Sequence, residues 1–276
     1  MIELPLILLI TALLGSILAG LSCSTIGVFV VRMNLVSIGY CMSHAAFAGA
    51  AFGLLINVDP MFGAIVFSIA TALFLGPLSE KAKLESNVVI GFLFSIMIAF
   101  AFIFLNMIPG NAATGAALSI LWGSIFMINL NDLFLLVLLS FVMLLFFILF
   151  YKELTAMLFH RKLAEASGVN TKMFFFAILF FVGFTVSVSL KLVGGLLVFA
   201  LIVNPTSTAY QLFFDFKKIS LASPFIGVVS CLLGFLVSLE WNLPIGAAIV
   251  VVSSLIFAFS ILFSPKRKKG KKPLFS

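Results

Sequence analysis

Apolar residues run along this chain in blocks of sixteen to twenty-seven, broken by Pro, Gly, Asn and charge rather than by any alternation. The blocks fall at about residues 5–31, 42–57, 61–79, 88–107, 132–151, 173–190, 194–213, 221–238 and 244–263. Roughly 20 apolar residues in helical form cross the hydrocarbon of a bilayer, so each block predicts one membrane-spanning helix. A further stretch, 114–128, is apolar but short and bounded by Asn111 and Asn129. It predicts a re-entrant or interfacial helix rather than a span. The expected fold class is all-α, a polytopic integral membrane bundle of eight or nine transmembrane helices. Residues 1–265 would form the membrane domain and 266–276 a basic tail.

Charge orients this bundle. Sixteen Lys and Arg against nine Asp and Glu give a net +7, which on its own could suggest nucleic acid. Position argues for topology instead. Lys266, Arg267, Lys268, Lys269, Lys271 and Lys272 follow the last apolar run, as at a cytoplasmic end, with some attraction to anionic lipid headgroups besides. Placing that tail inside also places Arg32, Lys81 and Lys83, the segment 152–172, and Lys217 and Lys218 inside. Only Lys191 among the basic residues then falls outside, together with Glu3, Asp59, Asp132 and Glu240. The separation supports nine spans with the N-terminus outside. Eight spans with both ends inside is the alternative, should the first or second segment not cross. Either way the chain is expected in the cell (inner) membrane, multi-pass, with its C-terminus in the cytoplasm and no nucleic-acid partner.

Composition closes off other classes. With 63% hydrophobic and 9% charged residues and a mean hydropathy of +1.33, no room remains for a soluble catalytic domain. The start carries Glu3, lacks a basic leader and shows no cleavage site, so it does not read as a signal peptide. Cys23, Cys41 and Cys231 are far apart without CxxC spacing, which predicts small core residues and no disulfide framework.

Candidate chemistry is sparse and therefore informative. One of two histidines, His44, lies near the start of the second span. An ionisable group at that depth is a functional candidate, with a hydrogen-bonded core histidine as the plain alternative. The helix that follows is rich in Ala and places Gly49 and Gly53 at GxxxG spacing, which suits a helix inside a bundle or beside a pathway. Tyr40, four residues before His44, shares its face. In GGLLVFALIVNPTSTAY, residues 194–210, Pro205 is expected to break the helix mid-membrane and free the carbonyl near Leu201. Asn204, Thr206, Ser207 and Thr208 could compensate, as in helices that line a transport route or in a simple kink. Asn87, Asn106 and Asn111, and Ser22, Ser24 and Thr25, read as helix–helix hydrogen bonds. The segment 152–172 is polar, with a helix expected from Leu158 to Ser167 and stopped by Gly168. It is either a docking element or a solvated loop.

No phosphate-binding loop, HExxH, GxSxG or paired intramembrane acid occurs. A membrane pathway without an energy source of its own must borrow one from a partner.

Three stretches together resemble the permease subunits of ABC importers for zinc, manganese and iron, the ABC-3 metal permeases. Gly39, Tyr40, Cys41, Met42, Ser43, His44, Ala45 and Gly49 follow a basic Arg32 and are similar to the family's G-D-x-x-S-H-A-x-x-x-G. LVGGLLVFALIVNPTSTA carries Gly195, Ala200, Pro205, Thr208 and Ala209 at matching places. LAEASGV, residues 163–169, is similar to the family's cytoplasmic coupling segment. The resemblance implies a homodimer of permeases, a cytoplasmic ATP-binding subunit and an extracytoplasmic metal-binding protein. It implies no enzyme activity in this chain, no permanently bound cofactor, and a divalent metal as substrate. It assigns coupling to about 154–172, through Leu163, Ala164, Glu165, Ala166 and Gly168, and, joined with the polar positions read above, the expected path runs by Asn34, Tyr40, Ser43, His44, Asn204, Pro205 and Thr206. One departure stands out. Tyr40 occupies the family's Asp position, and a phenol with a pKa of about 10 is a poor metal ligand at neutral pH. His44 would then bind metal with Ser43, Asn34 or Asn204 as neutral companions, or this branch carries a non-metal or chelated solute. A membrane-embedded enzyme using His44 is the reading from another class.

Overall fold

The computed structural model describes residues 6–108 and 130–268. In chain order the helices are α1 (Leu6–Arg32), α2 (Ile38–Leu55), α3 (Pro60–Ala82), α4 (Ser86–Met107), α5 (Leu130–Leu149) and α6 (Tyr151–Phe159). They continue with α7 (Arg161–Ala166), α8 (Thr171–Val193), α9 (Gly195–Leu212), α10 (Phe216–Trp241), α11 (Ile245–Leu262) and the short α12 (Pro265–Lys268). Every one of the nine apolar runs therefore forms a helix. Eight of these helices are long and apolar enough to cross a membrane among the described residues; α9 is the ninth, with a polar second half. The expected re-entrant helix at 114–128, with Asn111 and Asn129, lies outside the described residues, as does the tail beyond 268.

Local chemistry sets the ends. Asp59 accepts a hydrogen bond from the Met61 amide (2.7 Å) with Pro60 opening α3, Asn170 caps α8 through Met173 (3.1 Å), and Asp215 caps α10 through Lys217 (3.0 Å). Each side chain satisfies an amide that the first helical turn leaves free. Gly194, at φ 81°, makes the turn between α8 and α9 in a conformation that favours glycine.

Close approach and small hydroxyls hold the bundle together. α2 is the most enclosed of the eight long apolar helices, and a Cβ on its Gly49 would run into the Gly63 carbonyl of α3. Ser24 of α1 offers its carbonyl to Ser223 of α10 (2.7 Å) and Thr206 of α9 (3.3 Å), while Thr206 and Ser223 lie 2.8 Å apart. Ser22 pairs with Ser140 of α5 at 2.7 Å. The expectation of helix–helix hydrogen bonds thus holds for Ser22, and for Ser24 only through its backbone carbonyl, since the Ser24 hydroxyl donates to Gly20 of its own helix. It does not hold for Thr25, which bonds back to Leu21 of its own helix (2.6 Å). Asn87 and Asn106 are exposed.

Two expectations are corrected. Pro205 does not break its helix: α9 runs through it, because one backbone bond is lost while α1, α10 and α11 enclose the segment. The stretch 158–167 is not one helix either. α6 ends at Phe159, His160 turns out of the helix at φ −147° and ψ 77°, and α7 covers only 161–166. That elbow folds the chain back so that Glu165 accepts a hydrogen bond from Thr171 at the start of α8.

The basic segments share one end of the bundle. Lys172 pairs with Glu80 at 3.3 Å, Arg32 lies over Phe159, and Lys266 lies over Phe214 and donates to the Tyr210 carbonyl.

Candidate functional site

His44 sits in the second turn of α2, where the enclosing helices are α3, α4, α8 and α9. Its ring meets Phe94 of α4 edge-on, with centroids 4.9 Å apart and planes at 85°. Nδ1 is buried and has no hydrogen-bond partner. A metal on the other nitrogen would put the ring proton on Nδ1, where it has no acceptor to orient it, so this geometry suits weak and transient binding.

One turn earlier, Tyr40 stacks on Phe199 of α9 at 3.8 Å and 26° and is 39% exposed. Gly39 makes that contact possible, since its bare backbone faces Phe199 and Ile202. Ser43 is buried, donates to the Gly39 carbonyl (2.9 Å), and faces Gly195 at the start of α9. Tyr40, Ser43 and His44 therefore gather along α2 beside α4 and α9.

The remaining residues expected along the path lie elsewhere. Asn34 occupies the turn after α1, exposed, at φ 56°. The Asn204 amide donates to Ser253 (3.1 Å) and Ser254 (3.0 Å) of α11. Thr206 belongs to the buried Ser24–Ser223 network, and Pro205 is buried within α9. Asn204 is thus engaged with α11, whereas Asn34 is exposed in the turn between α1 and α2. Among the described residues no three His, Cys, Asp or Glu side chains come together to hold a metal. The structure adds Phe94 and Phe199, which sequence reasoning missed. The site is one imidazole and one phenol between aromatic walls, able to give a passing cation a single nitrogen ligand or to stack against a flat solute.

At the basic end, Leu163 is 66% exposed and Phe159 45% exposed, flanked by His160, Arg161 and Lys162, all exposed. Ala164 is buried against the bundle, whereas Glu165 and Ala166 face outward. Gly168 turns the chain at φ 85°. Glu165 holds its carboxyl below the ordinary carboxylate range through the Thr171 hydroxyl first and Arg161 second, the latter at 3.1 Å. α7 is thus a small, firmly tied platform with an apolar tip.

The ABC 3 transport family is the family whose pattern matches this chain, over residues 6–264. The chain is 31% identical over 257 residues to the manganese transport system membrane protein MntC of Listeria monocytogenes, covering 93% of this chain and 90% of that protein. It is 25% identical to the manganese import system permease protein ScaB of Streptococcus parasanguinis, covering 96% and 94% respectively. In structure it resembles PsaBC from Streptococcus pneumoniae, solved in complex with a Fab, at a TM-score of 0.83 and 24% identity over 95% of this chain and 94% of that one.

Proposed function

The chain belongs to the ABC 3 transport family, and on that premise we propose that it forms the membrane path of an importer for a divalent metal ion, manganese first. It is a multi-pass membrane permease rather than the ATP-hydrolysing part of the machine. A separate cytoplasmic ATP-binding subunit supplies the energy, docking on α6–α7 through Leu163, Glu165, Ala166 and Gly168, while the buried Ala164 seats α7 on the bundle. An extracytoplasmic metal-binding protein delivers the ion at the opposite end. Two copies of the chain assemble, the basic end and the C-terminus lie in the cytoplasm, and no cofactor stays bound.

The observation that carries this reading is the near full-length similarity to a manganese transport membrane protein, 31% identity across 93% of the chain. At His44 a single imidazole with no acid beside it gives a divalent ion one nitrogen ligand, a donor that suits zinc or iron(II) better than the harder manganese ion and that holds none of them tightly. Zinc and iron fit the same ligand and compete as cargo. A chelated solute is the second reading, favoured by the Tyr40–Phe199 stack (3.8 Å), which offers an aromatic surface where a carboxylate would strengthen a bare-ion site. Enzymatic use of His44 gains no support from a ring packed against Phe94. The test is manganese accumulation in cells whose own importer has been removed. Expression of this chain with its partners restores uptake and His44→Ala removes it; uptake indifferent to His44 for every divalent metal tried sinks the metal reading.

A further inference from the structure

A second cluster lies at the basic end, away from His44. Arg32, the last residue of α1, sets its guanidinium 4.5 Å above the ring of Phe159, the last residue of α6. Its Nε is buried and makes no hydrogen bond, and the ring face below attracts the cation. Phe159 meets Phe216 edge-on at 5.7 Å. Phe216, the buried first residue of α10, meets Phe29 and Tyr151, each at 6.3 Å. Phe29 stacks on Phe147 of α5 at 4.3 Å. One cation and five rings thus knot the end of α1 to α5, α6 and α10.

What lies on either side of the knot gives it consequence. Immediately after Phe159 the backbone leaves the helix at His160, so α7 hinges on the residue next to the ring that Arg32 covers. Immediately after Arg32 comes a five-residue turn, then α2 with Tyr40 and His44. A displacement of α7 therefore reaches α2 by way of Phe159, Arg32 and that turn.

We propose that Arg32 is a positioning residue for transport, linking the α6–α7 elbow to the α1–α2 turn so that a partner docked on α7 resets the helix that carries His44. The inference rests on the permease reading above and names the residue inside this subunit that conveys the drive. Packed side chains with two arrangements carry such coupling, and substitutions within them change it without touching either ligand.

The experiment is a double-mutant cycle on the complete complex, this chain with its ATP-binding subunit in vesicles and the metal-binding protein outside. Manganese ion is the probe, and the readout is ions moved per ATP hydrolysed. Arg32→Gln and Phe159→Leu each lower that ratio by about threefold or more, the double variant falls no further than the worse single, and Arg32→Lys restores most of the loss. Co-purification shows the variants assembled in normal amount. Reduced assembly with an unchanged ratio means a merely structural role and overturns the inference, as do losses that multiply in the double variant. An unaltered complex that moves no manganese with ATP overturns the permease reading itself, a result distinct from either.

Discussion

Tyr40 and His44 stand one turn apart on α2, yet they make contacts with different helices: the phenol stacks on Phe199 of α9 and the imidazole meets Phe94 of α4. Tyr40→Asp removes a stack and adds a carboxylate next to the imidazole, a pair that suits a divalent ion far better than imidazole alone. Purified protein should then retain manganese more tightly in an equilibrium radiolabel assay. If the cargo is a chelated solute, the same substitution lowers uptake, since the aromatic surface is gone. The polar members of this site are legible in the sequence because they interrupt an Ala- and Gly-rich helix. The aromatic members are not. Phe94 and Phe199 are two of 34 phenylalanines, and only the packing of α4 and α9 on α2 separates them from those facing lipid. Asn204 shows what else polarity within a span can mean, a need for partners, which it finds in Ser253 and Ser254.

Among the elements, α2 and α3 depend on backbone contact at Gly49 and Gly63, where no side chain fits. Gly49→Leu should force the two helices apart at a cost of about 1–3 kcal/mol, read as a lower melting temperature in detergent. α7 depends on Glu165. Its carboxyl titrates below the ordinary range because Thr171 and Arg161 hold the charged form. Such a group contributes above its unfolded pKa, and the contribution is lost as pH falls through the lowered folded value. Amide exchange over 160–171 should therefore stay slow at neutral pH and rise only in acid, and Glu165→Gln should flatten that acid-side change. Neither the α6–α7 elbow nor the continuity of α9 was legible beforehand. His160 carries no helix-stopping chemistry, and the contact that its turn allows, Thr171 donating to Glu165, joins residues that no local pattern pairs. Pro205 does carry such chemistry, but enclosure by three neighbouring helices outweighs a single missing bond.

Across the whole molecule, the nine apolar runs map onto nine helices because membrane-length hydrophobic blocks permit little else. Lys172, beside Glu80, and Arg32, above Phe159, lie at one end of the bundle. Orientation is tested by cysteine labelling in a background without Cys23, Cys41 and Cys231. Lys81→Cys should react only from the cytoplasmic side and Glu240→Cys only from outside; the reverse inverts the topology. The chain's partners, by contrast, were legible only through its resemblance to other permeases and through the lack of any ATP-binding loop. The most direct test of the whole account is transport by the purified chain reconstituted with its ATP-binding subunit and metal-binding protein. The expected result is manganese accumulation that requires ATP and is lost in His44→Ala while ATP hydrolysis continues. Accumulation that proceeds without nucleotide, or that is unchanged in His44→Ala, would contradict it.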